Sequence, residues 1–448
     1  VDTPATFGRI QDLVSAFGYG AGVEAAAIHI LRTGKPVAFV RTASSVDGTA
    51  TSPVLAPGGV GTSVPTVSVT PVTPVDDYEV VWTAVATGTI GITGITFRYS
   101  LDGGRNYSAV TALLTANTFT IPNSGVVINF AAGTIGAGYS FSFRTIGAKW
   151  NSGSLSSALT ALGNSSIAWD IVEIVGALAA ADVDTLEPIF TGWRAKNRFR
   201  LYVAGARIPT IGESEATYLA SLSSAFAAKA TTYGAITAGS CEMTSGVSGN
   251  QYMKSISVLA GSLEAGVSQE VNTASVNLGA LPVTVMDSNG NPKYHNEYIS
   301  PGLDDARFYT LRTFGDSPQG VYVTRPRIFS ASGSDFQLVT HRRVINLAES
   351  VLAAYFVRRL NQPIRVDGVT GFILEEEALE IEAGALSAME SALLATPKAS
   401  ACQFSLSRTD NILSTSTLTG DARVIPLGYV EFINVSVGFA NPALQVTA

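Results

Sequence analysis

The sequence predicts a multidomain protein of mixed α/β and α+β type: an open, mostly parallel sheet core, a C-terminal α+β domain, and an inserted all-β sandwich. Three observations predict it. The chain has 448 residues, more than one typical hydrophobic core holds, so about two to four domains are expected. Apolar β-runs alternate with helical patterns over 165–315, as in sheets whose strands are joined by crossover helices. Between 76 and 147 only short β-branched and aromatic runs occur, separated by turn residues, which is the grammar of a small sandwich.

The elements follow in order. Gly18, Gly20 and Gly22 punctuate a turn, VEAAAIHILR (23–32) suits a helix, Gly34 ends it, and KPVAFVR (35–41) reads as a strand. From about 50 to 75 the chain is rich in Pro, Gly, Ser, Thr and Val without helical period, as expected of an extended passage into another domain. YEVVWTAV, GITFRYSLD, TFTIPN, VVINF and YSFSFRTI are the strands of the predicted sandwich, with Asp102-Gly103-Gly104 as one turn. IAWDIVEIVG and RFRLYVAG then read as strands. ADVDTLEPIFTGW reads as a helix despite Pro188, and 213–230 as another, with Tyr218, Leu222, Phe226 and Ala230 four apart. Residues 341–360 form a strong amphipathic pattern whose stripe is Val344, Leu347, Ala348, Val351, Leu352, Tyr355, Phe356 and Leu360. A second helix opens on Glu375, Glu376 and Glu377, suited to its positive end, and stops by Pro397. Strands around CQFSLSRT and YVEFINVSVGFA complete the chain. The expected domains are 1–49 and 156–315 as two parts of one core, 50–155 as the insertion, and 316–448 as the C-terminal domain.

Composition narrows the function. Charged residues make up only 14% of the chain, against roughly 25% in ordinary soluble domains. A subunit covered by copies of itself has less need of charge, and fewer charges lower the desolvation cost of its contacts. Net charge is −7, from 28 basic and 35 acidic residues, and no basic block tracks a phosphate backbone, so nucleic acid is not an expected partner. No apolar run approaches the length of a membrane-spanning helix, and the opening VDTPATFGRI has no signal-peptide pattern. Cys241 and Cys402 lack metal or thioredoxin spacing and are expected to be buried free thiols.

Catalysis requires converging ionisable groups, and few are in view. His29, His295 and His341 occupy unrelated contexts. The Gly18–Gly22 turn lacks the spacing and the acidic residue of a dinucleotide site, and no phosphate-cradling glycine loop or nucleophile elbow occurs. Asp304-Asp305 is too closely spaced for a glycosidase pair; Asp102 and Asp76-Asp77 have the chemistry to bind a cation, but Asp102-Gly103-Gly104 is first a turn. The chain is therefore expected to be no enzyme and to take no cofactor and no metal.

HRRVINLAESVLAAYFVRRLNQPIR, the acidic helix after it, and PLGYVEFINVSVGFANP together resemble the C-terminal domain of phage contractile-tail sheath proteins. FGYGAGVEAAAIHILRTGKPVAFVRTA is similar to the start of that family, and NLGALPV followed by ISPGLDDARFYTLRTFG to a diverged branch of it. The likeness spans roughly residues 10–45 and 165–445 and lies in the order and spacing of the pieces. It implies stacked hexameric rings around an inner tail tube, with baseplate and tail-terminator proteins as further partners and neither nucleic acid nor membrane insertion. It implies a virion tail component, assembled in the bacterial host cytoplasm, whose contraction drives the tube through the host envelope. It also implies terminal strands exchanged between subunits, an inward C-terminal domain and an outward insertion. The candidate subunit or tube contacts are Arg342, Arg343, Arg358 and Arg359, and on the terminal strand Tyr429, Glu431, Ile433, Val435 and Val437. Two other readings stand beside it. One is a tail-tube or baseplate structural protein. The other is a secreted carbohydrate-binding adhesin using Tyr78, Trp82, Tyr99, Tyr107 and Tyr139.

Overall fold

The structure is a computed structural model that describes residues 1–70, 73–295, 302–315, 318–431, 433 and 435. By its internal contacts the chain divides into Val1–Leu360 and Asn361–Ala448.

The first unit opens with strand Ala5–Phe7 antiparallel to Val37–Phe39, enclosing helices Ile10–Phe17 and Ala21–Thr33. Phe7, Phe17 and Phe39 meet as rings 4.7–6.5 Å apart over Leu13 and Val23. Gly34 ends the second helix in the left-handed conformation (φ 64°), the cap its lack of a Cβ permits.

Strands from Thr49 to Ile146 build a two-stranded antiparallel sheet, Gly88–Thr89 against Thr134–Ile135, and two larger ones. The larger runs Thr49–Ala50, Ser140–Ile146, Glu79–Ala86, Thr96–Ser100, Thr111–Ala112, with Val54–Leu55 also on Ser140–Ile146. The smaller runs Thr118–Ile121, Val126–Phe130, Pro65–Ser68. Alternation dictates which side chains are inside: Val80, Trp82 and Ala84 on one sheet, Val126, Ile128 and Phe130 on the other. Trp82 stacks between Phe97 and Phe141 of its neighbouring strands and meets Phe130 of the facing sheet at 5.2 Å. The incoming and outgoing segments of this module are themselves paired: the Val46 and Lys149 backbones exchange two bonds of 2.9 Å. Residue 155, the expected boundary, lies inside helix Ser152–Asn164, and Trp150, Leu155 and Leu159 pack into the adjoining α/β core.

That core holds three parallel strands in chain order, Ile171–Ala177, Leu201–Gly205 and Gly234–Thr237, joined by helices Ala180–Arg194 and Glu215–Phe226. Every residue of Leu201–Gly205 is buried. Tyr202 and Ala204 face the crossover helices, whereas Leu201 and Val203 face helices Ala21–Thr33 and Ser257–Gly266. The expected helix at 213–230 is shorter, and Ala230 is exposed beyond it.

The expected open, mostly parallel sheet is not present. Among the described residues parallel strand pairing is confined to these three strands, with only isolated parallel bridges beyond them at Thr237–Tyr309 and Glu79–Asp102. The other sheets are antiparallel. They include Ser240–Thr244 against Gln251–Ser255 and Thr284–Val285, and Leu311–Thr313 against Val321–Val323. The reason is connection length. A parallel pair needs a crossover of about a dozen residues or more, and the turn 245–250 admits only a hairpin. The fold is a mixed α/β one with several small sheets.

Helix Val339–Val357 belongs to this first unit, with Val339 in the core beside Leu201 and Val203. The second unit packs helix Glu375–Leu393 on a hairpin of Ala399–Leu406 and Gly420–Pro426. Ala378, Ile381, Ala385, Met389 and Leu393 form its buried stripe. Arg408 forks onto Glu375 and Glu382 of that helix, fixing the strand's far end. The strand paired with Ala399–Leu406 is Gly420–Pro426, which precedes the expected second strand YVEFINVSVGFA. Tyr429, Val430, Glu431, Ile433 and Val435 carry no strand, and the remainder of 429–440, Val437 included, lies outside the described residues.

Candidate functional site

The groups that could carry chemistry are engaged in holding the chain. Asp304 is buried and accepts from Arg325 Nη2 and Arg327 Nε, each at 3.0 Å, while Asp305 points to the surface. Asp102 is buried in its turn. It accepts from Ser100, from the backbone and side-chain amides of Asn106, and from the Gln251 N–H; burial alone would raise its pKa, but these bonds hold it low. His29 is half-buried, and burial and Lys35 lower its pKa. In the glycine turn, a Cβ on Gly20 would stand 3.1 Å from the Val75 carbonyl, which accepts from Ala21 N–H, so close backbone approach accounts for that glycine. Both cysteines are free and buried, the Cys241 thiol pushed up to about 12 by burial. Among the described residues no cluster of His, Cys, Asp or Glu could hold a metal ion, and no helix is long and apolar enough to cross a membrane. The aromatic residues of the adhesin reading form no exposed platform. Tyr78, Trp82 and Tyr139 are buried, Tyr99 is half-buried, and Tyr107 lies 4.3 Å from the Arg98 guanidinium.

The candidate contact residues fall into three places. Arg342 is 2% exposed, with its guanidinium 4.8 Å from the rings of both Tyr233 and Phe336, and burial followed by Arg194 brings its pKa down to about 10. Arg343 is also buried. It donates to the carbonyls of Val267 (2.8 Å) and Ser268 (3.2 Å), just past helix Ser257–Gly266, where a cation complements the helix dipole. Its other neighbour is Glu264, 3.9 Å away and wholly buried, which accepts from Thr273 and Tyr309. These two arginines are thus enclosed within their own unit. Arg358 and Arg359 stand at the end of helix Val339–Val357, Arg358 exposed and Arg359 half-buried over the Tyr355 ring. In the second unit, Val430, Ile433 and Val435 are 78%, 80% and 74% exposed, while Tyr429 is half-buried and Glu431 exposed.

Sequence reasoning missed the junction between the β-module and the α/β core. Lys254 Nζ donates to Asp76, both side chains being buried; Tyr78 meets Tyr252 edge to face at 5.7 Å; Arg105 bridges Glu79 and Glu242; and Arg144 donates to the Ser288 carbonyl. The one available signal was a lysine within the apolar β-run QYMKSISVL.

No family model matches the chain, and no curated protein matches it. Among solved structures, it is similar in fold to the sheath complex of an extracellular contractile injection system in the contracted state. The identity is 14%, the TM-score 0.40, and the match covers 62% of this chain and 74% of that one. A second likeness is to the anti-feeding prophage baseplate, at 10% identity and TM-score 0.42, covering 66% and 76%. The third is to a sheath tail protein from Listeria innocua, at 11% identity and TM-score 0.45, covering 96% of this chain and 92% of that one.

Proposed function

We propose that the chain is a structural subunit of a contractile tail sheath that joins copies of itself through its C-terminal tail. The observation that carries this reading is the exposure of Val430, Ile433 and Val435 immediately after Gly420–Pro426, a strand with one free edge among the described residues. Exposed apolar tail beside an open edge is an aggregation hazard in a monomer and a directional link in an assembly. The resemblance of 341–365 and 426–442 to sheath proteins supports the same reading, as does the low charge. In this proposal Tyr429, Glu431, Ile433, Val435 and Val437 pair with a neighbour, and copies stack as hexameric rings around an inner tube. Baseplate and terminator proteins close the ends, and contraction drives the tube through a host envelope. The β-module is then an outward insertion, consistent with the bonded approach of its two ends at Val46 and Lys149.

Truncation after Pro426 tests it. The full chain is expected to give rings or tubes in negative stain, and the truncated chain to melt cooperatively yet sediment as a monomer. Tubes built by the truncated chain would refute the exchange, and a lost cooperative melt would assign the tail to its own domain.

A further inference from the structure

Three carboxyls and one ammonium meet where the β-module docks. Helix Ala21–Thr33 supplies Glu24, the segment before strand Glu79–Ala86 supplies Asp76, Asp77 and Tyr78, and strand Gln251–Ser255 supplies Tyr252 and Lys254. Glu24, Asp76, Tyr78, Tyr252 and Lys254 are each at most 6% exposed. Lys254 donates to Asp76, which also accepts from the Asp77 N–H at 2.8 Å, so Asp76 is the carboxyl in direct contact with the ammonium. Asp77 accepts from Gly147 N–H at 2.8 Å, at the outgoing end of the module. Glu24 receives the Ser245 hydroxyl, 2.8 Å from both of its oxygens, and that hydroxyl in turn accepts from the Val247 and Ser248 amides.

Full ionisation would leave two uncompensated negative charges here, and the facing tyrosines carry no positive charge to offset them. Buried charge without a partner is the costly case. We propose that this cluster is a proton-linked latch: the module docks with a proton held on Glu24 or Asp77, and the junction loosens when that proton leaves. Burial raises the pKa of both groups, and the neighbouring Asp76 adds to it, against the opposing pull of Lys254 and their hydrogen bonds. The sign follows. A carboxyl whose pKa is higher docked than undocked favours docking fully below its undocked value and loses that contribution as pH rises through the docked one. Lys254, whose pKa is also raised, contributes up to its ordinary range and is lost only in stronger base. Docking is therefore tightest in mild acid, opposite to the usual acid lability of paired carboxylates.

Hydrogen exchange on the full chain from pH 5 to 8, corrected for the intrinsic rate, tests this in peptides covering 73–79 and 251–255. The junction's opening constant is expected to rise with pH by up to about tenfold per unit over part of the range, while the centre of strand Glu79–Ala86 stays protected. Glu24→Gln with Asp77→Asn mimics the protonated latch and should flatten the response. A flat response in the unaltered chain, or an undiminished one in the double variant, overturns the proposal. Should the double variant not fold, the single variants decide: neither Glu24→Gln nor Asp77→Asn reducing the slope overturns it equally.

Discussion

Trp82→Ala is expected to lower stability by about 3–5 kcal/mol, the cost of a large cavity in a close-packed core, with loss of the β-module's tertiary near-ultraviolet signal. Trp82 is completely buried, and its indole touches Phe97 and Phe141 on its own sheet and Phe130 on the facing one. With the Phe97–Phe119 and Phe130–Phe141 pairs it joins both sheets into one core, and its removal strips contacts from each. Trp82→Phe makes a sharp control. The indole Nε1 has no hydrogen-bond partner, so exchanging it for carbon relieves an unmet donor while shrinking the ring, and the net cost should stay below about 1.5 kcal/mol. Urea unfolding monitored by near-ultraviolet circular dichroism reads both. Equal, small effects from the two variants would mean that the sheets do not depend on a common core.

How much of this was legible in the sequence depended on whether the physics was local. Alternation in EVVWTAVA and VVINF identifies inward residues because the pleat imposes a period of two, and the structure buries Val80, Trp82, Val126 and Ile128 accordingly. The helices of 21–33 and 375–393 were equally legible, since apolar stripes and a terminal glycine declare them. Sheet direction was not. Strand propensity in SCEM and QYMKS is the same for parallel and antiparallel neighbours, and only the shortness of 245–250 discriminates. The junction was hidden for a different reason. Glu24, Asp76 and Lys254 lie in three segments far apart in sequence, and each by itself is an ordinary charged residue. Arg342 and Arg343 were hard to place for the same reason, because a pair of arginines at a helix start offers itself as a subunit contact and only the fold puts Tyr233, Phe336 and the Val267 carbonyl around them.

That enclosure shows where helix Val339–Val357 is vulnerable. The apolar pattern places Val344, Leu352 and Leu360 on one equivalent stripe, yet Val344 is 1% exposed, Leu352 half-buried and Leu360 68% exposed. The first half of the helix is the buried half, and its arginines share that face because rings and carbonyls receive them. Val344→Asp should therefore cost more than about 4 kcal/mol, the range of an unpaired buried charge, and leave little folded protein. Leu352→Asp should cost only about 1–2 kcal/mol, since less apolar area is withdrawn from water there. Thermal melts of the two variants decide it, and a larger loss at Leu352 would contradict the placement of the helix. Beyond Val357 exposure rises, with Arg358 exposed and Arg359 half-buried. Reversing charge with Arg358→Glu and Arg359→Glu should leave circular dichroism unchanged and lower stability by less than about 1 kcal/mol, the scale of a helix-end dipole effect. In the sheath reading, however, it should weaken association with a neighbouring copy or with an acidic tube face, most strongly at low salt. Sedimentation and tube formation unchanged across a salt series would remove these two arginines from the contact surface, while leaving the C-terminal tail to be judged by its own truncation.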